Sequence, residues 1–247
     1  MDAERAGTEG TGMMKAVVTG ASRGLGWAIA QKLRDDGFFV VCPKRQDLLN
    51  VLQDGEESYT DVLVNNAGEI GPIGPLVSAD WNEWLKTLAT DFILPARLCK
   101  MVLPGMIARK YGKIINISGG GATKGMPNFS AYASAKTALV RFTETLAAEV
   151  EQYHIDVNAV SPGPMYSAIT EQIIAAGESA GVEQWAEAVE TKKKNRGPEE
   201  AARLVAFLAS HESDGITGRL ISAVHDPWRS LRAGHLTRDQ YTLRRKV

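Results

Sequence analysis

Tyr132 and Lys136 stand four residues apart in the stretch Ser130-Ala-Tyr-Ala-Ser-Ala-Lys136. On a helix that spacing puts both side chains on one face. A lysine ammonium beside a phenol favours the phenolate, because a nearby opposite charge stabilises the ionised form. A tyrosine tuned in this way can give or take a proton near neutral pH. The same pair also describes an ordinary packed aromatic beside a solvated cation, so the surrounding elements decide between the two.

The first of those elements is Lys15-Ala-Val-Val-Thr19, a short apolar run that breaks into Gly20-Ala-Ser-Arg-Gly24-Leu-Gly26. A helical pattern then continues through Ile29, Ala30 and Leu33 to Gly37. Strand, glycine-rich turn and helix in that order form a dinucleotide-binding context. Glycines let the backbone approach a pyrophosphate, and the helix N-terminus faces the anion with free N–H groups. Gly20, Ser22, Arg23, Gly24, Leu25 and Gly26 are the candidate contacts. The second strand, Phe38-Phe-Val-Val-Cys42, runs into Lys44 and Arg45. In a dinucleotide fold the end of this strand meets the adenosine ribose. The cations Arg23, Lys44 and Arg45 suit a 2′-phosphate, which favours NADP(H) over NAD(H). The interval from Asp47 to the next strand, Asp61-Val-Leu-Val-Asn65, is too short for a full further strand and helix.

That strand ends in Asn65-Asn-Ala-Gly68, where small residues admit a cofactor and Asn66, Ala67 and Gly68 become candidate contacts. With Thr19-Gly-Ala-Ser-Arg-Gly-Leu-Gly26, Tyr132-x-x-x-Lys136 and Ser161-Pro-Gly163, the chain resembles a classical short-chain dehydrogenase/reductase over about residues 14 to 225. The resemblance implies an α/β, Rossmann-type doubly wound parallel sheet in a single domain, here shortened between the second strand and the strand Asp61-Val-Leu-Val-Asn65, which is the span from the second to the fourth strand in the family's order. It also implies a nicotinamide cofactor, hydride transfer at a carbonyl carbon, and assembly as a homodimer or homotetramer. Tyr132 would exchange a proton with the substrate oxygen. Lys136 would contact the nicotinamide ribose and lower the tyrosine pKa. Pro162, Gly163 and Met165 would hold the carboxamide through backbone groups, with Ser167 nearby.

Two positions depart from the family pattern. The helix expected from about Asp80 to Met101 carries Asp91 where the family places a relay asparagine. If ionised beside Lys136, it would hold the lysine charged and alter the Tyr132 titration. Thirteen residues before Tyr132, where the family has a carbonyl-binding serine, stands Gly119. Ser118, the glycine N–H groups of the loop after the strand Gly112-Lys-Ile-Ile-Asn-Ile-Ser118, and Thr123 are the alternatives for polarising the carbonyl. Alternation along the strand points Ser118 to the other face.

Residues of about 164 to 196 read as a lid, closed by the basic run Lys192-Lys-Lys-Asn-Arg196. That run would suit an anionic substrate or form a solvated face. Residues 227–247 form a C-terminal extension holding Arg229, Arg232, His235, Arg238, Arg244, Arg245 and Lys246. It would cap the site, embrace a neighbouring subunit, or stay solvated.

The 247 residues suffice for one domain at 14–226, preceded by a disordered leader at 1–13. Net charge of −1 gives no field for nucleic acid or membrane, and no apolar run is long enough to span a bilayer. Cys42 and Cys99 read as buried small side chains in a reducing, cytoplasmic setting. No Cys/His/Asp spacing suggests a metal. The readings are therefore an NADP-dependent reductase or dehydrogenase acting on a small molecule with Tyr132 as acid or base; the same fold doing epimerase, dehydratase or cyclase chemistry; and a cofactor-dependent binding module.

Overall fold

The computed structural model describes residues 12–44, 46–53, 59–237 and 239–243. Most of the expected leader, Arg45, and the tail cations Arg238, Arg244, Arg245 and Lys246 lie outside the described residues. The chain alternates strands and helices: β1 (Lys15–Val18), α1 (Gly24–Asp35), β2 (Phe39–Val41), α2 (Leu48–Gln53), β3 (Val62–Asn65), α3 (Trp81–Leu88), α4 (Leu94–Arg109), β4 (Gly112–Ile117), α5 (Ser130–Val150), β5 (Ile155–Ser161), α6 (Ala168–Ala176), α7 (Val182–Lys194), α8 (Glu199–Ala209) and β6 (Leu220–Ser222).

The six strands form one sheet in the order β2-β1-β3-β4-β5-β6, and every pairing is parallel. The order reverses between β1 and β3. A crevice therefore opens at their carboxyl ends, where an open α/β sheet takes its ligand. Only α2 stands between β2 and β3 among the described residues, so β2 is the sheet edge and the shortened region is real.

Both faces of the sheet are covered, and alternate residues of each strand face opposite cores. Ala16, Val18, Val62, Val64, Ile115 and Ile117 pack with Ile29 and Leu33 of α1 and Leu204 and Leu208 of α8. Val17, Leu63, Ile114 and Val157 pack with Leu98 and Met106 of α4 and Leu146 of α5. Each fully buried leucine or isoleucine here contributes about 1.5–3 kcal/mol.

The helix expected to end near Met101 does not end there. It runs as α3, a π-helical turn over Ala89–Ile93, and α4 to Arg109, with Pro104 inside it. Pro104 and Lys100 are both exposed, so the carbonyl that proline leaves without a donor lies on the solvent side. Cys99 is buried as expected. Cys42 is exposed, because the edge strand β2 stops at Val41 and carries it to the rim of the crevice.

Candidate active site

The crevice is built by backbone. Gly20 has φ +64° and approaches so closely that a Cβ there would lie 2.9 Å from the Ala67 Cα. A Cβ on Gly26 would meet the Gly20 oxygen at 2.3 Å, so this glycine lets α1 pack onto the turn. Gly24 differs: it has φ +57° and nothing within 4 Å of the Cβ position. Thr19 fastens the turn to the end of β3, its Oγ1 accepting the N–H groups of Asn66 at 2.9 Å and Ala67 at 3.0 Å. Asn66 Nδ2 returns bonds to the Thr19 and Gly20 carbonyls at 2.9 and 3.2 Å. The Arg23 side chain does not cap α1, which leaves the first-turn N–H groups of Gly24, Leu25 and Gly26 at the cavity wall. Open space over a positive-φ glycine, beside uncapped N–H groups, fits a pyrophosphate.

One cavity of about 1480 Å³ joins this turn to the tyrosine–lysine pair. It is lined by Gly20, Ser22, Arg23, Gly24, Leu25, Gly26, Lys44, Asn66, Ala67, Gly68, Ser118, Gly119, Tyr132, Lys136, Pro162, Gly163 and Met165. Ser167 also lines it and caps α6, accepting from the Thr170 N–H at 3.3 Å. Thr123 is exposed and stands outside the lining. Asp91 sits behind the wall, fully buried. The glycine-turn motif contains Thr19 without marking it as a contact, and no spacing marks out Glu69, Thr90, Lys124, Gln184 or Glu187, which also line the cavity.

Helix α5 carries Tyr132 and Lys136 on its first turns and is anchored to β4 by an amide ladder. Asn65 Nδ2 donates to Asn116 Oδ1 at 2.8 Å, and Asn116 Nδ2 donates to Thr143 Oγ1 at 2.9 Å. Lys136 Nζ donates to the Ile117 carbonyl at 3.0 Å and lies 3.2 Å from Asp91 Oδ2. Asp91 Oδ1 accepts the Glu69 N–H at 2.9 Å. The π turn delivers this carboxylate. Pro95 has no N–H to give the Asp91 carbonyl, and the Leu94 N–H reaches back five residues to the Ala89 oxygen. Gly68 leaves the pair room: a Cβ there would meet Lys136 Nζ at 3.2 Å and the Asp91 oxygens at 3.3 and 3.4 Å.

Tyr132 is buried, and its hydroxyl lies over Gly119, where a Cβ would stand 2.0 Å from Oη. The space of the absent serine side chain is thus filled by the tyrosine itself. Burial pushes the Tyr132 phenol above the ordinary tyrosine range, and the Asp91 charge pushes it further. Burial also raises the Asp91 carboxyl, opposed by Lys136. The expectation that Lys136 alone lowers the phenol is therefore offset in this molecule by its pairing with Asp91. Ser118 lines the cavity despite the alternation argument, because it follows the last residue of β4, and its buried Oγ has no hydrogen-bond partner among the described residues.

The far end of the cavity is apolar. Ile70, Phe129 and Tyr132 pack with Met126, Ile169 and Ile173, and Gln184 and Glu187 of α7 stand at the wall. The basic run of the lid does not line it: Lys192 pairs with Glu171 at 2.8 Å and Lys194 with Glu190 at 3.1 Å.

A parallel switch-point crevice with a cradle for an anion, leading to a tyrosine–lysine pair, defines a dinucleotide-dependent fold of the short-chain reductase kind. The sequence agrees. A family model described as enoyl-(acyl carrier protein) reductase matches residues 46–223. The chain belongs to the short-chain dehydrogenase/reductase family. It is 32% identical to 3-oxoacyl-(acyl-carrier-protein) reductase FabG of Escherichia coli K12, over 83% of this chain and 93% of the relative. It is 29% identical to human dehydrogenase/reductase SDR family member 4, over 83% of this chain and 84% of that one. Among solved structures, a variant of actinorhodin polyketide ketoreductase with NADPH superposes with a TM-score of 0.73 and 26% identity, covering 85% of this chain and 95% of that one. NAD+-bound xylitol dehydrogenase gives 0.71 and 25%, covering 85% and 96%.

Proposed function

We propose that this chain is an NADP(H)-dependent oxidoreductase that interconverts a carbonyl and an alcohol on a small molecule, with Tyr132 as the proton-transferring group. The observation that carries the reading is the single cavity that runs from the uncapped start of α1 to the Tyr132 hydroxyl. Gly20 to Gly26 would hold the pyrophosphate, Lys44 and Arg23 the 2′-phosphate, and Pro162, Gly163 and Met165 the nicotinamide end. When bound, the nicotinamide supplies or accepts the hydride. Tyr132 gives its hydroxyl proton to the substrate oxygen or takes it back. Lys136 holds the ribose side of the site, and Ser118 Oγ has a free hydrogen-bonding position for the carbonyl. The apolar end formed by Ile70, Met126, Ile169 and Ile173 supports a substrate whose carbonyl bears an apolar portion, rather than one held by charge at that end.

The chain acts as a homo-oligomer in this reading. Trp81, 57% exposed and stacked on Trp84 at 4.9 Å, and Ile93, 52% exposed, support an apolar contact face along α3 and α4. Light scattering that finds only monomer removes this part.

The test is a titration with NADPH and NADH followed by turnover on a carbonyl panel. Lys44→Ala should weaken NADPH binding by about 10-fold or more and leave NADH nearly unchanged, as for loss of one charge-assisted phosphate contact. Tyr132→Phe should keep NADPH binding and lose turnover by at least ~100-fold. NADPH binding that is absent in the wild type, or Tyr132→Phe with full activity, would sink the reading.

A further inference from the structure

The geometry points to Asp91 as a positioning residue that sets the protonation state of Tyr132: by pairing with Lys136 it keeps Tyr132 a protonated donor through neutrality and holds the pH at which Tyr132 becomes a base on the alkaline side. This rests on the redox reading above and deepens it.

An unpaired Lys136 would stand 5.6 Å from the Tyr132 ring as a lone cation and favour the phenolate. In this chain its ammonium donates to the Ile117 carbonyl and faces the Asp91 carboxylate at 3.2 Å. The pair is neutral as a unit, and both members are buried. What remains is the burial of Tyr132, which favours the uncharged phenol, and the nearness of the Asp91 carboxylate, which favours it further while Lys136 opposes the rise that burial gives that carboxyl.

The placement of Asp91 is built, not incidental. The π turn turns it inward, the Glu69 N–H orients its second oxygen, and the absence of a side chain on Gly68 makes room for the contact. The other titratable groups lining the same cavity are Glu69 from the loop after β3, Lys124 from the loop after β4, Tyr166 and Glu171 of the lid, Glu187 from α7, and Arg23, Cys42, Lys44 and His225 at the glycine turn and the ends of β2 and β6. Lys124 pairs with Glu183 at 3.2 Å, and Arg23 and Lys44 belong to the glycine turn and the end of β2, so none of these cations takes the place of an unpaired Lys136.

The chemistry follows. In reduction a hydride from the reduced nicotinamide forms the new C–H bond, the carbonyl π pair moves to oxygen, and that oxygen takes the proton from Tyr132 Oη. The tyrosinate left behind recovers a proton from solvent. This direction needs the phenol, which is the form the site favours. The reverse direction needs a phenolate to accept the alcohol proton. It therefore strengthens only as pH rises toward the raised phenol value.

The test compares wild type, Asp91→Asn and Asp91→Ala as full-length protein with NADP(H). In the wild type, reduction should hold through neutrality while oxidation climbs with alkaline pH. Asp91→Asn keeps the size of the side chain and removes its charge. It should move the alkaline rise of oxidation and the alkaline fall of reduction to lower pH together, each by about one pH unit, the shift expected for about a 10-fold change in the phenol's ionisation. A merely structural role would lower both directions together, leave the pH profile in place, and overturn the proposal. A second readout needs no substrate: the phenolate absorbance of Tyr132, taken as the difference from a Tyr132→Phe variant in each background, should appear at lower pH in Asp91→Asn. Superimposable phenolate titrations would also overturn it. A wild type that turns over no carbonyl defeats the redox reading instead, and the phenolate titration still decides the role of Asp91.

Discussion

The Tyr132 hydroxyl occupies the place that a side chain on Gly119 would need. In the family pattern a serine stands there, and the simplest expectation would be that Gly119→Ser repairs a missing group. The contact geometry argues the opposite. A serine Cβ would meet Oη at 2.0 Å and Cζ at 2.9 Å, and the aromatic ring has little freedom to yield because it packs in a buried cluster with Phe129 and Ile70. Overpacking of this kind costs ~1–3 kcal/mol. Gly119→Ser should therefore lower kcat by about 10-fold or more while NADPH binding at the distant glycine turn stays intact. Steady-state kinetics beside a cofactor titration checks this, and a variant faster than wild type would show that the tyrosine moves aside freely. The two departures at Gly119 and Asp91 then act on the same hydroxyl, one by giving it space and the other by holding its proton.

At the scale of the elements, β4 and β5 are joined under the sheet by a buried cation. Lys113 is 1% exposed and lies 2.7 Å from both Asp156 and Asp214. Burial raises the Asp156 carboxyl, opposed by Lys113; at Asp214 burial acts upward too, but Lys113 and His211 outweigh it and the net shift is downward. Lys113→Met removes the cation that makes the buried Asp156 carboxylate tolerable, while Asp214 is exposed and can turn to water, and the loss should be about 3–5 kcal/mol at neutral pH. The sign with pH is fixed by Asp156. Its raised carboxyl contributes stability that is present in acid and lost as pH rises through its folded value. Without Lys113 that value rises further, so the deficit of the variant should shrink toward acid pH. Urea unfolding at mildly acidic and neutral pH reads this directly, and an equal deficit at both would contradict it.

The same elements show how far the chain could be read in advance. The β1 turn, the Asn65 to Gly68 exit, the start of α5 and the exit at Ser161 to Gly163 rest on local chemistry, where glycine, proline and asparagine requirements leave a mark in the sequence. The π turn leaves none, because it arises from Pro95 withholding one N–H from a helix that then continues. Pro104 stands inside α4, and the carbonyl of Lys100 that it leaves without a donor lies on the solvent side. The outward aim of Lys192 and Lys194 depends on the packing of α6 against α7, which a run of like charges does not encode.

For the molecule as a whole, the described residues after Asp226 pack into the fold. Trp228 is 5% exposed, sits 5.7 Å from Phe207 of α8, and donates Nε1 to the Ala223 carbonyl at 3.3 Å. Leu231 is buried in the same core. Farther on, the Tyr241 carbonyl accepts the Leu220 N–H at 2.7 Å, so the tail covers the open edge of β6. The Leu243 carbonyl then takes a bond from Arg141 at 2.8 Å, and its N–H reaches Glu144 at 2.7 Å on α5. An uncovered β6 would present unpaired backbone groups to other chains. None of the described tail residues lines the cavity. Stability and function should therefore separate here. Trp228→Ala should cost ~3–5 kcal/mol through the void it leaves against α8, and removal of residues 227–247 should add association through the bared β6 edge. NADPH affinity of the fraction still folded should stay within about 2-fold of wild type, since RT ln 2 is small against any lost contact. Calorimetry, light scattering and a cofactor titration on the same samples test this together. A tail variant with full stability and a much weaker cofactor complex would place the tail at the site after all.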